Sequence, residues 1–203
     1  MSDFTSAALL ACGKSRRMGF DKQLFHVRED RLFAEILQTL TRRFEDVMVV
    51  TKYPEMYRGM GVRSIADIIP GFGPMSGIHA AAREARSEYV YIIACDMPNV
   101  DISYIDYMSE MITNFSADAC VTKKGGWIEP FHAFYGKRAL PAMESDLHEG
   151  KGSIYYMLQK INTLYIPEAE ARRFTPDWSL FCNLNTPEEY NSLAANSIYK
   201  KVM

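Results

Sequence analysis

ALLACGKSRRMGFDKQLF, residues 8–25, runs from an apolar strand into a glycine-bearing loop crowded with cations. Ala8 to Ala11 read as the buried strand, and Gly13 and Gly19 carry no Cβ to hold the backbone away from a ligand. Successive loop N–H groups can then face an anion, with Arg16, Arg17 and Lys22 supplying charge and Ser15 a hydroxyl donor. The stretch reads as a polyphosphate cradle following the first strand of an α/β sheet. Lys22 is followed by Gln23, so G-x-x-x-x-G-K-[ST] does not fit, and neither does G-x-G-x-x-G. A solvated basic surface is the plain alternative. A lipoprotein cleavage site at Leu9–Cys12 is not expected, because Asp3 precedes the apolar run and that run is shorter than the ~7–15 residues of a signal core.

Outward from this loop, apolar strand patterns at Ala7–Ala11, Asp46–Thr51, Tyr89–Ala94 and Asp118–Thr122 alternate with helical patterns. The helical patterns lie around Leu32–Arg43, Ser76–Arg86 and Tyr104–Asn114. Alternation of this kind predicts a layered α/β fold with a largely parallel sheet. No repeat or composition shift divides the 203 residues, so a single domain over 1–203 is expected.

With 48% hydrophobic and 12% aromatic residues the chain is expected to bury a core, and its net charge of -2 gives no basic field for nucleic acid. No apolar run approaches the ~20 residues that cross a bilayer, so a cytoplasmic protein with a small-molecule substrate is expected. Cys12, Cys95, Cys120 and Cys182 lack C-x-x-C spacing, and His26, His79, His132 and His148 lack metal-ligand spacing. Both sets read as packing or surface residues.

Ligands of open α/β sheets bind beyond the carboxyl ends of the strands, which directs the reading to the residues after each apolar run. Cys95-Asp96-Met97-Pro98 releases a carboxylate from Tyr91–Ala94. Asp96 is a candidate Mg²⁺ ligand, since that ion commonly uses one or two carboxylates plus substrate phosphates. The competing role is capping the next helix, which Asp101 or Ser103 could equally fill. Pro70–Ile78 has the glycine and proline density of a shaped turn feeding a helix. Lys123-Lys124-Gly125-Gly126-Trp127 reads either as a flexible cationic lip for a phosphate-bearing heteroaromatic or as an ordinary exposed loop. Asn183 and Asn185 would share a face if their segment were a strand, while Thr186-Pro187-Glu188 is a good helix start.

These motifs, in this order, resemble the nucleotidyltransferases that finish molybdenum cofactors, and most closely their guanylyltransferase branch. The family loop, roughly L-A-G-G-x-S-x-R-M-G-x-D-K, is matched at Leu10, Ala11, Gly13, Ser15, Arg17, Met18, Gly19, Asp21 and Lys22, with Cys12 replacing a glycine. Cys95–Pro98 matches C-D-x-P, and Gly73–Gly77 is similar to G-P-L-x-G. Pro130–Tyr135 matches P-x-x-A-x-Y, and Phe181–Glu189 is similar to F-x-N-x-N-T-P-E-D. The asparagine-bearing segment common after the second strand is missing at Thr51–Pro54.

The resemblance implies a three-layer, Rossmann-like nucleotidyltransferase fold with a largely parallel central sheet, binding nucleotide in its N-terminal half and pterin in its C-terminal half. It implies Mg²⁺-dependent transfer of GMP from GTP to molybdopterin, with or without molybdenum, and transient contact with molybdoenzymes or cofactor-assembly proteins. Nucleotide contacts fall on Leu10, Ala11, Cys12, Gly13, Ser15, Lys22, Asp67, Gly73, Pro74 and Asp96. Arg17, Lys22 and Asp96 take catalytic roles, Asp96 that of metal ligand, and Asp21 either orients Lys22 or assists the metal. Asp67 stands where the family reads guanine, whose N1–H and 2-amino donors suit a carboxylate. Asn183, Asn185, Lys123 and Trp127 are the pterin candidates. A cytidylyltransferase would share the loop, but Asp21 and Cys95 favour the guanine branch. A sugar-phosphate nucleotidyltransferase would share the fold. A non-catalytic nucleotide-binding module would be expected to lack the lysine or the strand-end acid, and both are present.

Overall fold

A computed structural model describes residues 3–11 and 31–184. Among these residues seven strands form one sheet in the order β3-β2-β1-β4-β6-β5-β7. They are β1 (Ser6–Leu10), β2 (Asp46–Val50), β3 (Arg63–Ile65), β4 (Tyr89–Ala94), β5 (Ala119–Lys124), β6 (Trp127–Gly136) and β7 (Thr163–Pro167). Neighbouring pairs are parallel except where β6 runs antiparallel between β4 and β5. Every strand but β6 therefore points its carboxyl end at one edge, and β6 starts at that edge.

β4 explains the layering. All of YVYIIA is buried, as a strand covered on both faces must be. Tyr91 and Ile93 enter one core and Val90 and Ile92 the other. The first core is closed by α1 (Arg31–Arg43) and α3 (Ile102–Phe115), the second by α2 (Pro74–Glu84), α4 (Leu140–His148) and α5 (Ile154–Leu158), with the short α6 (Glu168–Ala171) after β7. On α1 the buried Phe33, Ile36, Leu37 and Leu40 recur at helical spacing, so burial selects one stripe. Helix, sheet and helix form the expected three layers.

The strands and helices expected between Ala7 and Thr122 all exist, with shifted ends, while the helix start at Thr186 lies outside the described residues. α2 begins at Pro74, a proline in its first turn, after Gly73 at φ 61° and ψ −135°; that backbone conformation suits glycine and places the turn. Lys123 and Lys124 are corrected from loop to strand: they end β5, paired with Ile128 and Trp127 of β6 across a Gly125–Gly126 turn. Gly125, at φ 57°, supplies the positive φ that a two-residue hairpin needs. The Asn183 segment is also corrected. Cys182–Leu184 is not a strand, so no shared strand face places the asparagine side chains.

The amino edge of the sheet is locked by a buried carboxylate. Asp46 accepts from Arg63 Nε at 2.8 Å and Arg63 Nη2 at 3.0 Å, from Ser6 Oγ at 2.9 Å and from the Arg86 N–H at 3.1 Å. Burial pushes its carboxyl up, but the Arg63, Arg86 and Ser6 hydrogen bonds outweigh that and leave it below the usual carboxylate range. This network ties β1, β2, β3 and the α2–β4 connection at the edge opposite the candidate site.

Candidate active site at the carboxyl edge

The ends of the first strands are stitched together at this edge. The Ala11 N–H donates to Val50 O at 2.8 Å, and the Cys95 N–H to Leu10 O at 3.1 Å. Leu10 and Ala11 are buried there, so their side chains make floor and their backbone carries the chain into the cradle sequence. Cys12, Gly13, Ser15, Arg17, Asp21, Lys22 and Asn185 lie outside the described residues.

Asp67 follows β3 and is half-buried, with its carboxyl raised by burial against the opposing charge of Lys52, which follows β2. A carboxylate partly removed from water is primed for paired donors, because each hydrogen bond it gains there faces weaker competition from solvent. Gly73 and Pro74 are exposed at the start of α2. Their turn is held by the Phe72 N–H on Ser76 Oγ at 3.1 Å and the Ser76 N–H on Gly73 O at 3.1 Å.

Asp96, half-buried beyond β4, lies between the two halves of the edge. Its carbonyl accepts the Leu184 N–H at 2.8 Å, which brings Asn183 beside the strand-end acid as neighbouring chain. The capping alternative for Asp96 is settled: Asp101 caps α3, its Oδ1 accepting the Tyr104 N–H at 3.0 Å. Asn99 Nδ2 donates to Ser179 O at 3.0 Å, binding the same two segments again. A cavity of about 360 Å³ opens beside them, lined in part by Glu35, Asn99, Asp101 and Leu180.

On the β6 side, Trp127 is 68% exposed at the mouth of the hairpin. The cationic lip is largely committed to structure. Lys124 Nζ lies 4.6 Å from the Trp178 ring centroid and 3.9 Å from Glu168, while Lys123 Nζ lies 5.6 Å from the Tyr165 ring. Two residues not singled out from sequence stand here. Trp178 Nε1 donates to Glu129 Oε1 at 3.4 Å, and burial raises the Glu129 carboxyl. Glu129 had a visible signal, preceding Pro130 of a motif. Trp178 had none, because its partners are distant in sequence.

Among the described residues no group of three or more His, Cys, Asp or Glu could hold a metal, and no helix is long and apolar enough to cross a membrane. Asp96 as a single half-buried carboxylate is compatible with a Mg²⁺ whose remaining ligands are phosphate oxygens and water. The histidine reading holds for His79 and His132, which are buried packing residues.

A family model described as "MobA-like NTP transferase domain" matches residues 7–163, from β1 to the start of β7. The chain belongs to the MobA-like NTP transferase family. Its relatives include a "Probable molybdenum cofactor guanylyltransferase" of Peptoclostridium acidaminophilum, 46% identical over 92% of this chain and 86% of that protein. A "Molybdenum cofactor guanylyltransferase" of Syntrophotalea carbinolica is 44% identical over 92% of this chain and 89% of its own. In structure, molybdopterin-guanine dinucleotide biosynthesis protein A from Archaeoglobus fulgidus superposes with a TM-score of 0.78 at 26% identity, covering 97% of this chain and 99% of that one. The family membership accounts for the motif order along the carboxyl edge.

Proposed function

We propose that this MobA-like chain transfers GMP from GTP to the terminal phosphate of molybdopterin, giving the guanine dinucleotide and pyrophosphate. The observation that carries the reading is the row of strand-end residues: Ala11 after β1, Asp67 after β3 and Asp96 after β4, with Asn183 held beside Asp96. Names of relatives aligned over most of the chain support the same substrate pair.

In this reading the N-terminal half holds nucleotide and the C-terminal half holds the pterin. The acceptor needs little help from a base, because a phosphate monoester with a second pKa near ~6 is mostly dianionic at neutral pH. Catalysis is then positioning plus charge neutralisation. Arg17 and Lys22 hold the β- and γ-phosphates and stabilise departing pyrophosphate. The backbone of Cys12, Gly13 and Ser15 cradles the phosphates, Gly73 and Pro74 flank the nucleoside, and Asp67 accepts the guanine N1–H and 2-amino group. A divalent ion, Mg²⁺ in this proposal, would be held by Asp96 and would neutralise phosphate charge. Asn183, Asn185, Lys123 and Trp127 contact the pterin moiety or its phosphate.

The test follows the atoms. With molybdopterin and Mg²⁺, label on the α-phosphate of GTP should appear in the dinucleotide, and label on the γ-phosphate in pyrophosphate. Label found only as free GMP, or no product despite tight GTP binding, contradicts the assignment.

A further inference from the structure

Glu129 opens a question that packing alone does not answer. It lies near the start of β6, the strand directly beside β4, at the same edge as Asp96. Adjacent strands lie about 4.8 Å apart, so a substrate joined to phosphate at Asp96 reaches the β6 edge within one ring system. The carboxylate is held in one orientation. Trp178 Nε1 donates to Oε1 at 3.4 Å. Trp178 is itself clamped, with Lys124 Nζ 4.6 Å and the Arg172 guanidinium carbon 5.2 Å from its ring, and Phe181 packed at 4.6 Å between centroids. Trp178 also holds φ 65°, a conformation unusual for a large side chain that its packing must maintain. Lys124, the charged neighbour, pairs with Glu168 at 3.9 Å.

A carboxylate offers about four lone-pair positions, and one indole donor does not exhaust them. Its neighbour Trp127 presents an exposed ring suited to stacking on a flat heterocycle. We propose that Glu129 reads the acceptor substrate by accepting the N3–H and 2-amino hydrogens of a 2-amino-4-oxopyrimidine ring, with Trp127 against its face. Resting on the reading above, this makes the acceptor head group a pterin selected by the same donor pair that Asp67 selects in guanine. The edge then carries a base-reading carboxylate on each flank of Asp96. Trp178 is a positioning residue for Glu129.

The probes are 2-amino-4-oxopteridine and its 2,4-dioxo analogue lumazine, which lacks the amino donors, used as competitors against molybdopterin at saturating GTP. The wild-type protein should be inhibited by the amino compound at least 10-fold more strongly than by lumazine. Glu129→Gln should abolish that preference and raise the KM for molybdopterin on the order of 10- to 100-fold, the range expected for hydrogen bonds to a charged acceptor. The KM for GTP and the thermal midpoint should stay put. Equal inhibition of wild type by both compounds overturns the proposal, as does an unchanged molybdopterin KM in Glu129→Gln or a rise confined to GTP. If wild type makes no dinucleotide from molybdopterin, the functional reading fails and this inference with it. Normal wild-type turnover with an indifferent Glu129→Gln defeats this inference alone.

Discussion

Lys22 and Asp96 divide the proposed phosphate chemistry between a cation of the cradle and a carboxylate beyond β4. Removing a charge aimed at the transition state should cost on the order of 10²–10³ in kcat, so Lys22→Ala should show that loss under saturating substrates. Near-wild-type turnover would detach the cradle from catalysis. Asp96→Asn should lose metal-dependent turnover yet keep its unfolding midpoint, because α3 is capped by Asp101 and not by Asp96. Retained ordinary Mg²⁺ dependence would remove the ligand role. Asp46 is the opposite kind of acid, 4% exposed and paired with an Arg63 whose side chain is 31% exposed. Asp46→Ala should lower stability by about 2–3 kcal/mol in urea titrations, less than a fully buried pair because Arg63 stays partly solvated. Turnover of the folded fraction should be unaffected. The lowered carboxyl also sets a sign: its contribution is present above the unfolded value of 3.8 and is lost as pH falls below it.

β6 shows what a strand near the site tolerates. Its register with β5 slips between Cys120 and Thr122, and His132 within the slip takes φ 49°. There the imidazole is fully buried, Nδ1 lies 2.6 Å from the Tyr91 hydroxyl, and Nε2 has no hydrogen-bond partner among the described residues. Burial alone lowers its pKa from 6.5 to about 3. Between those values the unfolded chain binds more protons than the native one, so stability rises with pH across that window and is lost on acidification. From pH 6.5 to 5 this single group should remove about 2 kcal/mol. A urea midpoint that falls over this range in wild type, and falls less in His132→Phe, is the expected result. Equal falls would place the acid sensitivity elsewhere. The sequence signalled β6 by its motif, yet nothing in PFHAFY announced the slip, because a bulge depends on the strand it pairs with. The edge strand β3 and the late strand β7 were also unmarked: β3 is short and only half-buried, and every β7 position but Ile166 is at least partly open to solvent. The strands read directly were those buried on both faces, where apolar runs are continuous.

At the scale of the molecule, motifs far apart in the chain converge because six strands of the described residues end at one edge of one sheet. That convergence was legible from the alternation of apolar runs and helices together with the family motifs. The Glu129–Trp178 pairing was not, since it joins positions 49 residues apart through packing that no local pattern encodes. Specificity belongs to this scale as well, because the proposed reading puts the base beside Asp67 after β3 and the phosphates beyond β1 and β4. In that reading an ionised Asp67 would pair with two guanine donors, whereas the O2 and N3 acceptors of cytosine would face it unpaired. Sites that pair buried polar groups reject mismatches strongly, so the preference should be large. Asp67→Asn should narrow it. Guanylyl transfer is tested most directly by the rate of pyrophosphate release with molybdopterin, Mg²⁺ and each nucleoside triphosphate in turn. GTP should give the highest kcat/KM, well above CTP, ATP and UTP. CTP surpassing GTP would contradict it and place the chain with the cytidylyltransferases.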